Sequence, residues 1–196
     1  MLDPGGVRDS IGAINTVFRN EQGVVCGTNT DAAGFFAPIA EEDWAGRSAV
    51  VIGAGGAARA ILFALAQADI GHITLLARSP LKATALLAHF GLKGKVLPMD
   101  ARIPAADLLV NTSPLGMTGQ PPLDIDLAPL PEDAIVYDIV YTPLETALLR
   151  AAAQRELATV DGLDMLIGQA AFAFELFFGS APPADCEDEL RSLVLK

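Results

Sequence analysis

A glycine-rich segment, Gly53-Ala54-Gly55-Gly56-Ala57-Ala58, follows the β-branched run Ser48–Ile52 and precedes an alanine-rich stretch typical of a helix. In such a segment the first glycine permits a tight turn, the second lets a pyrophosphate approach the backbone, and a small sixth residue lets helix and strand pack closely. The N–H groups at the helix start face the anion. An ordinary glycine-rich turn is the alternative, but this context predicts a dinucleotide site made by Gly53, Ala54, Gly55, Gly56 and Ala57.

The end of the next predicted strand bears on which dinucleotide would bind. Enzymes that use NAD usually carry a carboxylate there, which binds the ribose 2′-hydroxyl. This chain has Arg78 and Ser79 instead, with Lys82 one turn later and no acidic residue among them. A guanidinium binds phosphate as a bidentate donor, and a hydroxyl and an ammonium add to it. Although Arg78 and Lys82 could be solvated surface charges, the combination predicts NADP as the cofactor.

Two further segments combine polar residues with small ones. Asn111-Thr112-Ser113-Pro114-Leu115-Gly116-Met117 follows a predicted strand, so it is either a Pro/Gly turn or part of a cofactor site at the carboxyl edge of the sheet. Asp161 precedes a long apolar helix, in which Gln169 falls on the same face as Met165. Because Gln169 lies among phenylalanines, its amide needs a partner from the backbone, water or a ligand.

The elements that would position these residues alternate between strand and helix from Ser48 onwards, which indicates a doubly wound parallel sheet. The fold class is therefore α/β, of the Rossmann type. The predicted strands are Ser48–Ile52, His72–Ala77, Lys95–Leu97, Asp107–Asn111, Ala134–Val140 and Ala158–Val160. The predicted helices are Ala57–Ala68, one that begins at Ser79-Pro80 with Ser79 as its cap, Leu144–Arg155, Leu163–Phe178 and Asp185–Leu195.

The first 45 residues follow another pattern. They predict strands at Ile11–Val17 and Gly23–Gly27, joined by the turn Arg19-Asn20-Glu21-Gln22, and then a helix at Asp31–Ala40 that Thr30-Asp31 caps. One hairpin and one helix do not form a stable domain alone. We therefore expect an unpaired hairpin edge and exposed Phe35 and Phe36, which predict a homodimer or a partner that supplies a further segment.

Composition narrows the classes of function. The net charge of −11 disfavours a nucleic-acid partner, which needs a basic surface. Despite a mean hydropathy of +0.40, no apolar run approaches the ~20 residues of a membrane helix, and the first residues do not resemble a signal peptide. Cys26 and Cys186 are far apart, and neither His72 nor His89 has a ligand-spaced neighbour, so we predict no metal site. Because the two cysteines have no metal or redox spacing, we expect inert thiols and a reducing, cytoplasmic location.

Six segments of the chain together resemble shikimate dehydrogenase, in order and with family-like spacing over nearly the whole sequence. They are Ile11-Gly12-Ala13-Ile14-Asn15-Thr16, Asn29-Thr30-Asp31-x-x-Gly34-Phe35, Gly53-Ala54-Gly55-Gly56-Ala57-Ala58-Arg59, Asn111-Thr112-Ser113-Pro114-x-Gly116-Met117, Tyr137-Asp138-x-x-Tyr141-x-Pro143 and Asp161-Gly162-x-x-Met165-x-x-x-Gln169. The family reduces 3-dehydroshikimate to shikimate with NADPH in aromatic amino-acid biosynthesis, and the resemblance implies this activity. The family commonly has Asn at the position of Ala77 and Arg at that of Lys82.

The resemblance also implies roles for individual residues. It implies that Asn15, Asp31 and Gln169 bind substrate hydroxyls with Tyr141 nearby, and that the nicotinamide end of the cofactor is held by Ser113, Ile139, Gly162 and Met165. Amide and carboxylate groups suit a polyol, because a site left with unpaired polar groups rejects analogues that lack a hydroxyl. Taken without the resemblance, Asp31 could be only a helix-start residue, Asn15 a turn former and Tyr141 a core residue.

The front of the chain differs from the family pattern. In the family a substrate-binding domain supplies a lysine that works with the Asp31 equivalent in acid–base catalysis, whereas no lysine precedes Lys82 here. We expect residues 1–44 to be a remnant of that domain, 45–178 the NADP-binding Rossmann domain, and 179–196 a segment whose helix packs back on the remnant. The chain would then be truncated or divergent, with Asp31 as its catalytic group and little activity by itself. The alternatives are a non-catalytic NADP-binding fragment, acting as a regulator or as half of a split enzyme, and a quinate dehydrogenase.

Overall fold

The computed structural model describes residues 11–183 and 187–194. In these residues a hairpin and a short helix precede a six-stranded sheet with its flanking helices. The strands are β1 (Thr16–Arg19), β2 (Val25–Thr28), β3 (Ser48–Ile52), β4 (His72–Leu76), β5 (Gly94–Leu97), β6 (Leu108–Asn111), β7 (Ile135–Asp138) and β8 (Ala158–Val160). The helices are α1 (Asp31–Phe36), α2 (Gly56–Gln67), α3 (Pro80–His89), α4 (Ala147–Ala153), α5 (Gly162–Phe178) and α6 (Glu187–Val194), and a 3-10 turn at Ala37–Ile39 follows α1.

The large sheet is parallel throughout, in the order β5-β4-β3-β6-β7-β8. The chain thus runs outwards from β3 in one direction and then returns to β6 on its other side. This is the Rossmann order, and its switch point between β3 and β6 is where such sheets bind ligands. The predicted α/β fold class is confirmed.

Both faces of the sheet are covered, which explains the continuous apolar runs of its strands. Ala49 and Val51 of β3 face one core together with side chains of α1, α2, α3 and α5. Val50 and Ile52 alternate with them and face a second core, which includes α4 and the loops that follow β5 and β6. α1 therefore packs on the same face of the sheet as α2 and α5.

The predicted elements from Ser48 onwards are present, most of them with their ends shifted by one to three residues. The helix predicted at Asp185–Leu195 is seen as α6, while residues 185, 186 and 195 lie outside the described part. Ser79 is the N-cap residue of α3 and Pro80 its first residue, as predicted, but the Ser79 side chain makes no capping hydrogen bond. The Ser79 hydroxyl is thus not used to hold its own helix.

The predictions for the first 45 residues need more correction. The first strand begins at Thr16, not at Ile11, since Gly12 has a left-handed backbone and Arg59 Nε of α2 donates to the Ile11 carbonyl at 2.5 Å. The second strand is Val25–Thr28, and α1 ends at Phe36 instead of Ala40. The Thr30 side chain does not cap α1; Oδ1 of Asn29 accepts from the Asp31 N–H at 2.9 Å instead.

The expected exposure of Phe35 and Phe36 is also wrong. Phe35 is fully buried and stacks on Tyr137 of β7 with ring centroids 4.9 Å apart, and Phe36 is half-buried. The predicted unpaired edge is present, because the hairpin forms a separate two-stranded sheet in the described part of the chain. Its side chains Val17 and Val25 are 57% and 60% exposed.

Two glycines let α1 and α5 cross at backbone contact. A Cβ on Gly34 would lie 2.5 Å from the Gln169 nitrogen and 2.6 Å from the Met165 oxygen. A Cβ on Gly168 would lie 3.1 Å from Cα of Gly34. Only a residue without a side chain permits this approach at Gly34. The crossing sets α1, and therefore Asp31, in register with Gln169.

Helix α6 is tied to the first turn of α5. Arg191 pairs with Asp161 at 3.2 Å and also with Asp164. Burial acts to lower the pKa of Arg191, but hydrogen bonds to both carboxylates outweigh it and raise that pKa.

The division of the chain into domains at residues 44 and 178 stays a prediction. Across residues 11–183 and 187–194, none of the helices has the length and apolar character to span a bilayer.

Candidate active site

The glycine-rich segment forms the turn between β3 and α2, as predicted. Gly53 has a φ of +109°, and a Cβ there would lie 2.7 Å from Oγ1 of Thr112. Ala58 is fully buried where α2 packs on the sheet. At Gly55, the N-cap residue of α2, and at Gly56 a Cβ would meet nothing within 4 Å. These two glycines thus leave space beside the N-terminus of α2, and N–H groups at a helix N-terminus can bind a phosphate.

Arg78, Ser79 and Lys82 lie at the carboxyl end of β4 and the start of α3. All three side chains are exposed, and none of them has a hydrogen bond or ion pair with a described residue. Two cations and a hydroxyl without protein partners remain available for an anion. This arrangement fits the 2′-phosphate of NADP and offers no carboxylate for the 2′-hydroxyl of NAD.

A buried hydrogen-bond network joins the loops that follow β6 and β7. Asn111 and Asp138 are both fully buried, and Nδ2 of Asn111 donates to Oδ1 of Asp138 at 2.9 Å. The Val140 N–H donates to the same oxygen at 3.1 Å, and the Thr146 hydroxyl donates to Oδ2 at 2.7 Å. Burial raises the pKa of Asp138, while these donors lower it. Asp138 therefore shapes the edge of the sheet, a role that the sequence motif did not reveal.

The residues predicted for the nicotinamide end lie on this edge. The Ser113 hydroxyl donates to Oδ1 of Asn111 at 2.7 Å, which fixes the loop after β6. Ile139 follows β7, and its carbonyl lies so close to Gly162 that a Cβ on that glycine would overlap it. Met165 is buried one turn further along α5. The close approach brings the first turn of α5 to the end of β7.

Asn15, Asp31 and Gln169 come together at the crossing of α1 and α5. Nδ2 of Asn15 donates to Oδ1 of Asp31 at 2.8 Å, and Oδ1 of Asn15 accepts from the Thr30 N–H at 2.9 Å. The Thr30 hydroxyl in turn donates to Oε1 of Gln169 at 3.1 Å. We call Asn15, Thr16, Thr30, Asp31 and Gln169 the polar cluster. The structure thus joins three residues that the sequence separates widely.

The polar cluster holds one acid–base group. Burial raises the pKa of Asp31, and the hydrogen bond from Asn15 partly opposes this. Asp31 is half-buried, and Asn15 is exposed. A carboxyl group at this position can accept hydroxyl protons and, when protonated, can donate one.

Tyr141 is the predicted substrate residue that the structure does not join to the polar cluster. It lies three residues after β7 with its side chain 46% exposed, and its hydroxyl makes no hydrogen bond with a described residue. This exposure contradicts the alternative that Tyr141 packs in the core. Its place in substrate binding stays a prediction.

Sequence reasoning missed Thr16 and Thr30 as members of the polar cluster. Their side chains are 5% and 3% exposed, and the Thr16 hydroxyl donates to Oδ1 of Asn15 at 2.9 Å. Each follows an amide residue, in Asn15-Thr16 and Asn29-Thr30. That pairing of an amide with a threonine at two sites 14 residues apart was the available signal.

Comparisons with known proteins show which proteins this chain is similar to. The family described as "Shikimate 5′-dehydrogenase C-terminal domain" matches residues 162–186, which include the start of α5 and Gln169. The shikimate dehydrogenase (NADP+) of Sphingopyxis alaskensis is 64% identical over 193 residues, which cover 98% of this chain and 70% of that protein. This chain therefore spans about seven tenths of the length of that relative.

Solved structures share the fold at lower identity. Shikimate 5-dehydrogenase of Thermus thermophilus, solved with NADP(H) and shikimate, has a TM-score of 0.79 and 37% identity; the match covers 95% of this chain and 70% of that one. Ligand-free 5-ketofructose reductase of Gluconobacter sp. strain CHM43 has a TM-score of 0.87 and 29% identity over 96% of this chain and 71% of that one.

Proposed function

The chain belongs to the shikimate dehydrogenase family, and on this premise we propose that it binds NADP along the carboxyl edge of the sheet and shikimate or 3-dehydroshikimate at the polar cluster. The strongest support for this assignment is that α5 contacts both proposed sites. The helix begins with Gly162 against Ile139 at the predicted cofactor edge and carries Gln169 into the polar cluster seven residues later. Seven residues of helix span about 10 Å. The single helix α5 therefore reaches both proposed ligand sites and sets the distance between them.

The cofactor is held by groups of two kinds. The N–H groups at the start of α2 face the pyrophosphate, with Gly55 and Gly56 leaving room for it, and Arg78, Ser79 and Lys82 bind the 2′-phosphate. Family membership confirms the predicted class of cofactor, NADP. When bound, NADPH supplies the hydride that reduces the ketone.

The polar cluster recognises the hydroxyls of the substrate. Its amides donate hydrogen bonds to hydroxyl oxygens and Asp31 accepts hydrogen bonds from hydroxyl groups, so a bound ligand that lacks a hydroxyl leaves one of these polar groups unpaired. Reduction of a ketone also needs a proton for the developing alkoxide. Asp31 is the acid–base group of the polar cluster, and burial raises its pKa above that of a free aspartate.

Slow turnover is part of this proposal. An ionised Asp31 has no proton to donate, and among the described residues no second acid–base side chain hydrogen-bonds to the polar cluster. We therefore expect the 196 residues to bind both ligands and to turn over slowly. Binding without any turnover, as in a regulator or half of a split enzyme, is the alternative.

A homodimer, or association with a separate polypeptide, is a further part of the proposal. Its support is the unpaired hairpin with its exposed valines. Light scattering at increasing concentration tests it, and a monomer throughout contradicts the homodimer. The predicted cytoplasmic location is proposed on the spacing of the two cysteines alone.

Oxidation of shikimate by the purified chain, followed through the absorbance of the reduced nicotinamide, tests the assignment. We expect slow reduction of NADP+ with shikimate that Asp31→Asn abolishes. Quinate, measured in parallel, tests the alternative substrate, and faster reduction with quinate would replace shikimate in the assignment. Binding of neither polyol, measured by calorimetry with NADP+ present, would contradict the proposed substrate class.

A further inference from the structure

The two buried threonines of the polar cluster carry two hydroxyl protons between them. The Thr16 hydroxyl lies 2.9 Å from Oδ1 of Asn15 and 3.3 Å from the Thr30 hydroxyl. The Thr30 hydroxyl lies 3.1 Å from Oε1 of Gln169 and 3.3 Å from Oδ1 of Asn15. Each hydroxyl has one proton, so the shorter contacts assign the Thr16 proton to Asn15 and the Thr30 proton to Gln169.

The orientation of the Gln169 amide follows from its second neighbour. Nε2 of Gln169 lies 3.0 Å from the carbonyl oxygen of Leu166. A flipped amide would place Oε1 against that carbonyl, and two oxygens without a proton between them repel each other. The flip would also leave the Thr30 proton without its acceptor on Gln169. Thr30 and the Leu166 carbonyl therefore fix the amide from its two sides.

The same accounting fixes the amide of Asn15. Its Oδ1 accepts from the Thr16 hydroxyl and from the Thr30 N–H, which occupy both lone pairs. Its Nδ2 uses one proton on Asp31. Each of the two amides thus keeps one N–H without a partner among the described residues, whereas their oxygens are taken.

We propose that Thr30 is a positioning residue that sets the polarity of the substrate site. Its hydroxyl donates to the amide oxygen of Gln169, and its backbone N–H donates to that of Asn15. Both oxygens are then used within the protein, so the two amides offer a ligand only N–H donors, and Asp31 supplies the carboxylate acceptor. A ligand hydroxyl at the site accepts from an amide and donates to Asp31. This inference rests on the proposed function for its ligand, but the orientation of Gln169 is testable without one.

A double-mutant cycle in the full chain tests whether Thr30 acts through Gln169. Thr30→Val removes the hydroxyl at nearly constant volume, and Thr30→Ser keeps it. We expect Thr30→Val to weaken shikimate binding roughly 5- to 50-fold with NADP+ present and Thr30→Ser to restore most of the loss. In the Gln169→Ala background, Thr30→Val should add little. NADPH affinity should not change in any variant, which also reports that the variants fold.

Thr74 offers a matched control. It is a buried threonine of β4, and it alternates with Ile73 and Leu75, which face the core that contains α1. Thr74 therefore points to the opposite face of the sheet, and Thr74→Val should leave shikimate binding unchanged. A loss equal to that of Thr30→Val would mean that any buried hydroxyl matters, which would overturn the inference.

The side-chain amide signal of Gln169 in a nitrogen–proton correlation spectrum tests the orientation directly. Its assignment comes from Gln169→Ala. We expect the pair of N–H signals to be dispersed in the parent chain and in Thr30→Ser, and to collapse towards free-glutamine values in Thr30→Val. An unchanged pair in Thr30→Val overturns the inference. A collapsed pair in a chain that binds no shikimate overturns the proposed substrate instead, and additive losses in the cycle overturn the action through Gln169.

Discussion

The cofactor edge and the polar cluster use opposite means to bind a ligand. At the edge, Gly55 and Gly56 leave space, while Arg78 and Lys82 remain unpaired charges among the described residues. In the polar cluster almost every polar atom already has a partner inside the protein. The cofactor edge therefore offers a ligand free space and unpaired charges, whereas the polar cluster offers side chains that internal hydrogen bonds already hold in place.

This difference predicts how each site fails. The edge depends on backbone shape and on excess charge, so one added methyl or one deleted charge changes cofactor binding directly. The polar cluster depends on the packing of α1 against α5, which sets the spacing of its members. Changes to that packing should reduce substrate binding and stability and leave NADPH affinity intact.

The largest effect is expected at Gly53. Gly53→Ala combines a left-handed backbone with a contact of 2.7 Å to Thr112, so it should cost about 3 kcal/mol in the free energy of unfolding. Gly55→Ala has room within the protein and should change that free energy by less than about 0.5 kcal/mol. Both substitutions should weaken NADPH binding roughly tenfold or more, which is a loss of about 1.4 kcal/mol in binding free energy. Chemical unfolding and NADPH titration measure these quantities, and a stable Gly53→Ala would show that the turn relaxes.

Gly34→Ala should disrupt the polar cluster. An alanine inside an exposed helix normally stabilises it by about 1 kcal/mol. Here the added Cβ meets backbone atoms of Gln169 and Met165, so we expect a net loss of about 2 kcal/mol and loss of shikimate binding. Gly168→Ala, with its 3.1 Å contact, should have a smaller effect in unfolding experiments. A stabilised Gly34→Ala would refute the backbone contact between α1 and α5.

Arg78→Ala should weaken the binding of NADPH but not that of NADH. Loss of charge-assisted hydrogen bonds to the 2′-phosphate should weaken NADPH binding roughly 10- to 100-fold and leave NADH binding unchanged. Lys82→Ala should have a smaller effect, about 2- to 5-fold, because an exposed ammonium is a point charge and cannot bind phosphate as a bidentate donor. Arg102→Ala serves as the control, since Arg102 pairs with Asp126 beyond the end of β5. Equal losses for NADPH and NADH would assign Arg78 to another part of the cofactor.

The smallest effect concerns pH. Burial raises the pKa of Asp31, so the stability linked to its protonated form is present below the unfolded pKa and is lost as the pH rises through the folded one. Asp31→Asn should therefore stabilise the fold more at neutral pH than at about pH 3. Burial acts to raise the pKa of Asp107, but hydrogen bonds from Ser48 outweigh it and lower that pKa, so Asp107→Asn should cost most at neutral pH. Unfolding at several pH values would disprove the account if the two trends had the same sign.

How much could be predicted also differs between the two sites. The glycine-rich turn of the cofactor edge is local in sequence, because Gly53, Ala58 and the strand before them lie within eleven residues of one another. Its strand–turn–helix structure was predicted from spacing and is confirmed by the fold. The assignment of each residue to a part of the cofactor stays a prediction.

The polar cluster depends on contacts that no local pattern reveals. Thr30 and Gln169 are 139 residues apart, and the pair meets only because Gly34 and Gly168 allow the helices to cross. The burial of Phe35 escaped prediction for the same reason, since Tyr137 covers it from β7. Hydrophobic pattern alone marks a face as apolar and does not say which element packs on it.

Titration of the chain with NADPH and with NADH, each with and without shikimate, tests the central claim most directly. The account holds that an open cofactor edge and a fixed polar cluster form two sites spaced by α5. Calorimetry should give tighter binding of NADPH than of NADH, and it should show shikimate binding that Gln169→Ala weakens and Arg78→Ala does not. Equal affinity for the two dinucleotides, together with shikimate binding insensitive to Gln169→Ala, would contradict the account.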